Sequence, residues 1–149
     1  MTSTPQDTWD RAAWNDFNHG LIDDLRAHKG VATEGRFAGR ELLLLITTGA
    51  KSGQPRIAPL AFTRDGDRYV IIASKGGSPT HPDWYHNLVK NPDVTLEVRG
   101  EVFAARATTA EGEERERLFA NQARQMPNFA AYQLKTSRQI PVVVLERVR

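Results

Sequence analysis

Leu42-Leu43-Leu44-Leu45-Ile46-Thr47-Thr48-Gly49-Ala50-Lys51-Ser52-Gly53-Gln54-Pro55-Arg56 is the stretch from which the fold is read. Its apolar run at 42–46 is five residues long and empties into two threonines, so it reads as a buried strand ending in a turn. Gly49 and Gly53 can take backbone angles closed to other residues, which lets successive N–H groups curve around one point and cradle an anion. Lys51 and Arg56 add full positive charge, and Ser52 a hydroxyl donor. A loop so composed reads two ways: as a holder for a phosphate, or as a solvated hairpin turn, since glycine, serine and lysine are what exposed turns use. It is not a Walker loop, because Lys51-Ser52 precedes the second glycine and no helical pattern follows. Nor does Gly-x-Gly-x-x-Gly occur, so a Rossmann site has no support.

Downstream, Arg56-Ile57-Ala58-Pro59-Leu60-Ala61-Phe62-Thr63-Arg64 alternates as a strand, with Pro59 pointing to a sheet edge or bulge. Asp65-Gly66 closes a hairpin onto Tyr69-Val70-Ile71-Ile72-Ala73-Ser74, so the first three strands are expected to form an antiparallel meander, against a βαβ fold. Ser74-Lys75-Gly76-Gly77-Ser78-Pro79 is a second glycine-rich turn with a lysine, placed to contact the same anion. His81-Pro82 opens a short helix, Asp83-Trp84-Tyr85-His86-Asn87-Leu88-Val89, stopped by Asn91-Pro92. Trp84 and Leu88 are four apart and share a face expected to be buried. Strands Val94-Thr95-Leu96-Glu97-Val98 and Val102-Phe103-Ala104-Ala105-Arg106-Ala107 flank the turn Arg99-Gly100. Thr108 or Thr109 is expected to cap a helix over 110–125, with Leu118 and Phe119 inward. Pro127 interrupts that helix, Phe129 and Tyr132 share one side of the next segment if it is helical, and Ile140-Pro141-Val142-Val143-Val144-Leu145 begins the final strand.

Upstream, Trp9, Ala13, Phe17, Leu21 and Leu25 recur every fourth residue with Trp14 and Ile22 beside them, so residues 8–28 read as an amphipathic helix ended by Gly30. Its polar face is net acidic, with Asp7, Asp10, Asp16, Asp23 and Asp24 against Arg11, Arg26 and Lys29. Membrane-surface helices carry basic faces, so packing on the body or on a second subunit is favoured over lipid contact, which the two tryptophans keep open. His19 and His28 are expected at the surface, and residues 31–40 as a connecting loop. The pattern is mainly β with helices at the edges (α+β): about six hairpin-linked antiparallel strands in a small barrel.

With 149 residues, the chain is expected to form one domain, 1–149, with an N-terminal helical part at 1–30 and a barrel at 41–149. It has no cysteine, which excludes disulfides, iron–sulfur clusters and thiolate chemistry and fits a reducing cytoplasm. No signal peptide or bilayer span is legible, and the formal charge of +2 is spread singly rather than in a nucleic-acid tract. His81 and His86 do not share a helical face and have no evident third ligand, so no metal site is expected.

Taken together, Thr47-Thr48-Gly49-Ala50-Lys51-Ser52-Gly53-Gln54-Pro55-Arg56, Pro59-Leu60, Ala73-Ser74-Lys75-Gly76-Gly77, Pro82-Asp83-Trp84-Tyr85-His86-Asn87-Leu88, Asn91-Pro92 and Ile140-Pro141-Val142-Val143-Val144 resemble the nitroreductase-like deazaflavin-dependent oxidoreductases, which use coenzyme F420. The similarity runs over residues 42–148 and more loosely through the first helix. It implies a split β-barrel related to FMN-binding barrels, with the cofactor in a groove along the sheet. Carried onto this chain, the resemblance implies that Lys51, Ser52 and Arg56 meet the phosphate and the start of the glutamate tail. Ile57, Ala58, Pro59, Leu60 and Ala61 would flank the ring through backbone groups, with Ile72, Ala73, Ser74 and Lys75 opposite, and Asp83, Trp84, Tyr85, His86 and Asn87 closing the groove. Several separated cations suit a phosphate followed by carboxylates, because charge-assisted hydrogen bonds are the strong kind.

Two departures bear on activity. Many relatives carry arginine where Ala50 stands, which removes a cation here. Relatives that reduce nitroimidazoles carry tyrosines where Met126 and Phe129 stand, with only Tyr132 retained, so Phe129 and Tyr132 are left to line the substrate pocket. The implied reaction is hydride transfer from the reduced deazaflavin to a quinone or an activated-alkene or nitro acceptor, quinones and alkenes being expected ahead of nitroimidazoles. Ser74 and Tyr132 are the candidate proton donors, Tyr132 equally readable as a pocket wall. The alternatives are an FMN-dependent oxidoreductase on the same barrel and a non-catalytic deazaflavin carrier. The expected partner is a small-molecule electron acceptor, not nucleic acid; a homodimer follows from fold analogy alone. The expected location is the cytoplasm, or the inner face of its membrane.

Overall fold

The computed structural model describes residues 11–148. Trp9 and the acidic Asp7 and Asp10 of the expected first helix lie outside the described residues, as do the side chains of 11–18. Helix α1 spans Arg11–Ala27 and is followed by a 3-10 turn at Gly35–Phe37. The strands are β1 (Leu43–Thr48), β2 (Pro55–Leu60), β3 (Thr63–Asp65), β4 (Arg68–Ile72), β5 (Asp93–Val98), β6 (Glu101–Thr109) and β7 (Val142–Arg147). Between them lie a 3-10 turn at Lys75–Gly77, α2 (Asp83–Lys90), α3 (Gly112–Gln125) and α4 (Asn128–Leu134).

All seven strands join one antiparallel sheet in the order β2-β1-β5-β6-β7-β4-β3. The seventh arises because the strand expected at 56–64 breaks at Ala61 and Phe62 into β2 and β3, which lie at opposite edges of the sheet. That bend puts β2 beside β1 and β3 beside β4, so one run of chain draws the two edges toward each other and curls the sheet into a split barrel. Both hairpins of the expected meander are present, β1 with β2 and β3 with β4, but the break sends them to opposite edges of the sheet, where β4 takes β7 as its other neighbour and β2 has none. As an edge strand, β2 tolerates Pro59, whose missing N–H costs no ladder bond on the open side.

Alternation along the strands sorts apolar side chains to two faces. Inside the barrel, Leu43, Leu45, Ile71, Leu96, Val143 and Leu145 are fully buried, and α2 plugs one end with Leu88, Trp84 and Tyr85. Outside, α3 and α4 cover Val70, Ile72, Val142 and Val144 with Leu118, Phe119 and Phe129, while α1 covers Leu42 and Leu44 with Ile22 and Leu25. Burying each such side chain stabilises the fold by about 1.5–3 kcal/mol. The described end of α1 thus packs on the barrel body. Lys29 and Gly30 turn the chain at φ 52° and 89°, and a Cβ on Gly30 would sit 3.1 Å from the backbone nitrogen of Arg99. Arg99 and Gly100 both have positive φ, the geometry that a two-residue hairpin between twisted strands requires. His19 and His28 are exposed.

One expected cap is corrected. Thr108 and Thr109 remain in β6, paired with Val144 and Val143, and Glu111 precedes α3 without a side-chain cap. Ladder pairing, with the Thr109 hydroxyl 3.2 Å from that of Tyr85, holds these β-branched residues in the strand. The pairings Thr48↔Pro55, Ile72↔Val142 and Thr109↔Val143 gather the loops after β1, β4 and β6 at the end that α2 plugs.

Candidate functional site

At that end the turn between β1 and β2 is held by α2. Asn87, 7% exposed, accepts from the Ala50 N–H at 2.9 Å and donates to the Thr47 hydroxyl at 3.1 Å, while the Lys90 ammonium donates to the Ala50 carbonyl. Within the turn, the Gly49 N–H donates to the Gln54 carbonyl and the Gly53 N–H to the Gly49 carbonyl. Gly53 takes the left-handed region at φ 71°; Gly49 does not, and its role is room, since a Cβ there would lie 2.5 Å from the Ser52 hydroxyl. The N–H groups of Lys51 and Ser52 have no acceptor among the described residues. They border an open recess of about 440 Å³ walled by residues 48–53 with Lys90 and Asn91. Arg56 donates to the Ser52 hydroxyl oxygen at 3.2 Å, as does the Gln54 N–H, which leaves the Ser52 proton free to donate outward.

Arg26, Arg68, Arg99, Arg106, Arg117 and Arg147 each pair with a carboxylate. Among the described residues, Lys51, Arg56, Lys75, Lys90 and Arg138 have no carboxylate partner, and neither do Lys29, Arg40, Arg64, Arg124 and Lys135 elsewhere on the chain; what distinguishes the first turn is that Lys51, Arg56 and Lys90 stand beside its free N–H groups. Unpaired cations beside free N–H donors make a field suited to an anion.

The second turn does not line that recess. It lies against α4, where a Cβ on Gly77 (φ 83°) would come within 2.8 Å of the Tyr132 carbonyl and 2.9 Å of the Lys135 Cβ. Arg138 stitches it from behind, donating to the carbonyls of Ala73 (3.2 Å), Ser74 (2.7 Å) and Ser78 (2.8 Å) and to Nδ1 of His81 (2.9 Å). Burial lowers the Arg138 pKa, and burial, then Arg138 and then His86, lowers that of His81. The reading of both turns on one anion is thus corrected: the first meets the last turn of α2 and the second leads into its first. The helix between those contacts is eight residues long, roughly 12 Å at 1.5 Å per residue.

From the first turn β2 runs along the open edge of the sheet. Ile57, Ala58, Pro59, Leu60 and Ala61 are all half-buried along the open edge, an apolar strip with unpaired backbone. At the end of β4, Ile72 and Ala73 are buried; the Ala73 N–H donates to the Pro141 carbonyl and its own carbonyl accepts from Arg138, so its backbone is already committed. Ser74 is 8% exposed, and its hydroxyl has no partner among the described residues. Lys75 donates to Thr80 at 3.3 Å. On α2, Asp83 and His86 are exposed, and Trp84 and Tyr85 half-buried on the barrel core. Phe129, on α4, is buried in the outer cluster, edge-on to half-buried Tyr132. The Tyr132 hydroxyl accepts from Asn128 at 3.0 Å, which leaves its proton available.

Sequence reasoning missed Lys90 and Arg138. Both stand in segments read for helix or strand periodicity, and only their long-range contacts, 40 residues away for Lys90 and up to 65 for Arg138, reveal them.

The donor set fits an acidic cofactor: two free N–H groups, unpaired cations and an apolar edge strand. A family model described as F420H(2)-dependent quinone reductase matches residues 22–147. An F420H(2)-dependent quinone reductase of Mycobacterium tuberculosis (strain H37Rv) is 44% identical over 142 residues, 87% of this chain and 93% of that protein. Among solved structures, an F420-H2 dependent reductase, FDR-A, is 42% identical over 70% of this chain and 93% of its own, with a TM-score of 0.66. A domain-swapped dimer is 36% identical, covering 96% of this chain and 100% of that one, with a TM-score of 0.68.

Proposed function

The chain belongs to the F420H(2)-dependent quinone reductase family, and we infer that the loop-bearing end of its barrel binds coenzyme F420 for the reduction of quinones. It is an F420-dependent oxidoreductase; the family match is to quinone reduction and carries no nitroreductase label. When bound, the reduced deazaflavin supplies a hydride to an electron-poor acceptor. What the chain supplies is binding, orientation and exclusion of water.

Lys51, Ser52 and Arg56, with the N–H groups of Lys51 and Ser52, would hold the phosphate and the start of the acidic tail. Lys90 brings a cation to the Ala50 carbonyl, where the arginine of relatives is missing. Ile57, Ala58, Pro59, Leu60 and Ala61 would give the ring an apolar bed, with Ser74 and Lys75 across from it. Of the α2 residues, Trp84 and Tyr85 close the barrel end, and Asn87 acts on the loop rather than on the ligand. Ser74 and Tyr132, the candidate proton donors, carry hydroxyl protons that no partner takes among the described residues. The observation that carries this reading is the first turn itself, where two free N–H groups border the recess beside Lys51, Arg56 and Lys90, none of which has a carboxylate partner among the described residues.

Titrating the purified protein with oxidised F420 should quench or shift the coenzyme's fluorescence, and FMN should compete poorly. A flat F420 titration at micromolar protein, or tighter FMN binding, overturns the cofactor. Reduced coenzyme should then be oxidised faster with a soluble quinone than with a nitro compound or lactone-type alkene. Binding without acceptor-dependent oxidation would mark a carrier instead.

The working location is the cytoplasm; among the described residues no helix is long and apolar enough to cross a membrane. A second copy of the chain is the protein partner this reading adopts, supported by the domain-swapped relative. Analytical ultracentrifugation giving only monomer would remove it.

A further inference from the structure

Arg138 is half-buried with no carboxylate partner among the described residues, yet four groups accept from its guanidinium. Three are backbone carbonyls, at Ala73, Ser74 and Ser78, and the fourth is Nδ1 of His81. These contacts touch the segment 73–81 at its start, middle and end. A guanidinium cannot accept, so the imidazole nitrogen facing it must be unprotonated, and the ring proton of the neutral form sits on Nε2. The ring itself is wedged at the entry to α2, with centroids 4.9 Å from Tyr85 and 5.7 Å from His86. Arg138, His86 and Tyr85 are the titratable groups that face it.

We propose that Arg138 is a positioning residue for the cofactor end of the barrel: it holds Ser74 and Lys75 in place from behind and locks His81 as the neutral Nε2–H tautomer. This rests on the F420-binding reading above. The second turn has few other constraints. Among the described residues its backbone-to-backbone hydrogen bonds run from Gly77 to Ser74 and from Ser78 to Lys75, and its side-chain ones join Lys75, Ser78 and Thr80, all local. Lys75 lies at φ 47°, a left-handed conformation that a non-glycine residue holds only when its surroundings impose it. The close approach of Gly77 to α4 presses on one side, and Arg138 ties down the backbone itself. A lysine at 138 would keep the charge but lose the planar fork that reaches several acceptors at once.

Long-range proton–nitrogen NMR of the ligand-free wild type should show His81 with an acceptor-type Nδ1 and a protonated Nε2, unchanged between pH 8 and pH 6. Arg138→Lys should let that ring titrate and speed amide exchange at Gly77 and Ser78. It should also weaken oxidised F420 about tenfold, the loss of one to two net hydrogen bonds. A wild-type His81 protonated on Nδ1, or an R138K protein that binds the coenzyme as wild type does, overturns the proposal. If R138K does not fold, Arg138→Gln takes its place and the wild-type ring spectrum still decides. The spectrum and the exchange rates need no cofactor. A wild type that shows them yet ignores F420 refutes the functional reading and leaves the positioning role standing.

Discussion

Replacing Lys51 with alanine separates a ligand-binding cation from a structural one. Lys51 is exposed, and neither its ammonium nor its N–H has a partner among the described residues. Its removal should therefore change stability by no more than about 0.5 kcal/mol, a Tm shift of about 1–2 °C for a domain of this size. Binding should respond differently. A hydrogen bond to a charged group contributes about 1.5–3 kcal/mol, which at about 1.4 kcal/mol per decade is roughly 10- to 100-fold in Kd. The recess is open to water and Arg56 and Lys90 remain, so the low end, about tenfold, is expected at physiological salt. At about 0.01 M salt, where the screening length grows to roughly 30 Å, the ratio should widen. The assay is fluorescence titration with oxidised F420 at two salt concentrations, with a thermal melt of each protein. A loss under about threefold at both salts, or a Tm drop beyond about 5 °C, would refute the assignment.

Asn87→Ala should do the reverse in proportion: the Ala50 N–H and Thr47 hydroxyl lose their buried partner, costing about 1–3 kcal/mol, with a lower Tm and weaker F420 binding in the same protein. Gly77→Ala forces a side chain into a left-handed conformation against the backbone of α4 and should destabilise by about 2 kcal/mol or more, measured by urea unfolding. Stability should fall with acid in two steps. The lowered pKa of His81 means that the unfolded chain takes up its proton first, so stability present above about pH 6.5 declines below it. Asp65, held at about 2 by hydrogen bonds from Arg117 and Arg68, contributes above about pH 4 and is lost as pH falls toward 2. Urea midpoints from pH 8 to pH 2 check both, and Asp65→Asn should flatten the lower step.

The local elements were legible because each is written in a short window. The five-residue apolar run before Thr47 is a strand in the structure, the turn at Arg99 and Gly100 is a hairpin, and Gly30 ends the first helix. Gly49, Lys51, Ser52, Gly53 and Arg56 marked a glycine-rich, cationic turn by composition alone, and the structure places it between β1 and β2. Misreadings came where local preference met a distant neighbour. Thr108 and Thr109 have the chemistry of helix caps, but pairing with Val144 and Val143 keeps them in β6. Residues 56–64 alternate as one strand, and only the demand of two sheet edges bends them at Ala61 and Phe62.

By itself the sequence determined which residues alternate, where the chain turns and which loops carry glycine and charge, since these follow from side-chain period and backbone freedom within a few residues. Only the tertiary structure decided that β4 lies beside β7, that the two glycine-rich turns meet opposite ends of α2, and that Asn87, Lys90 and Arg138 hold them. A periodic pattern says which face of a strand is buried and nothing about its neighbour. A polar side chain's partner is set by where the folded chain carries it, in these cases 37 to 65 residues away.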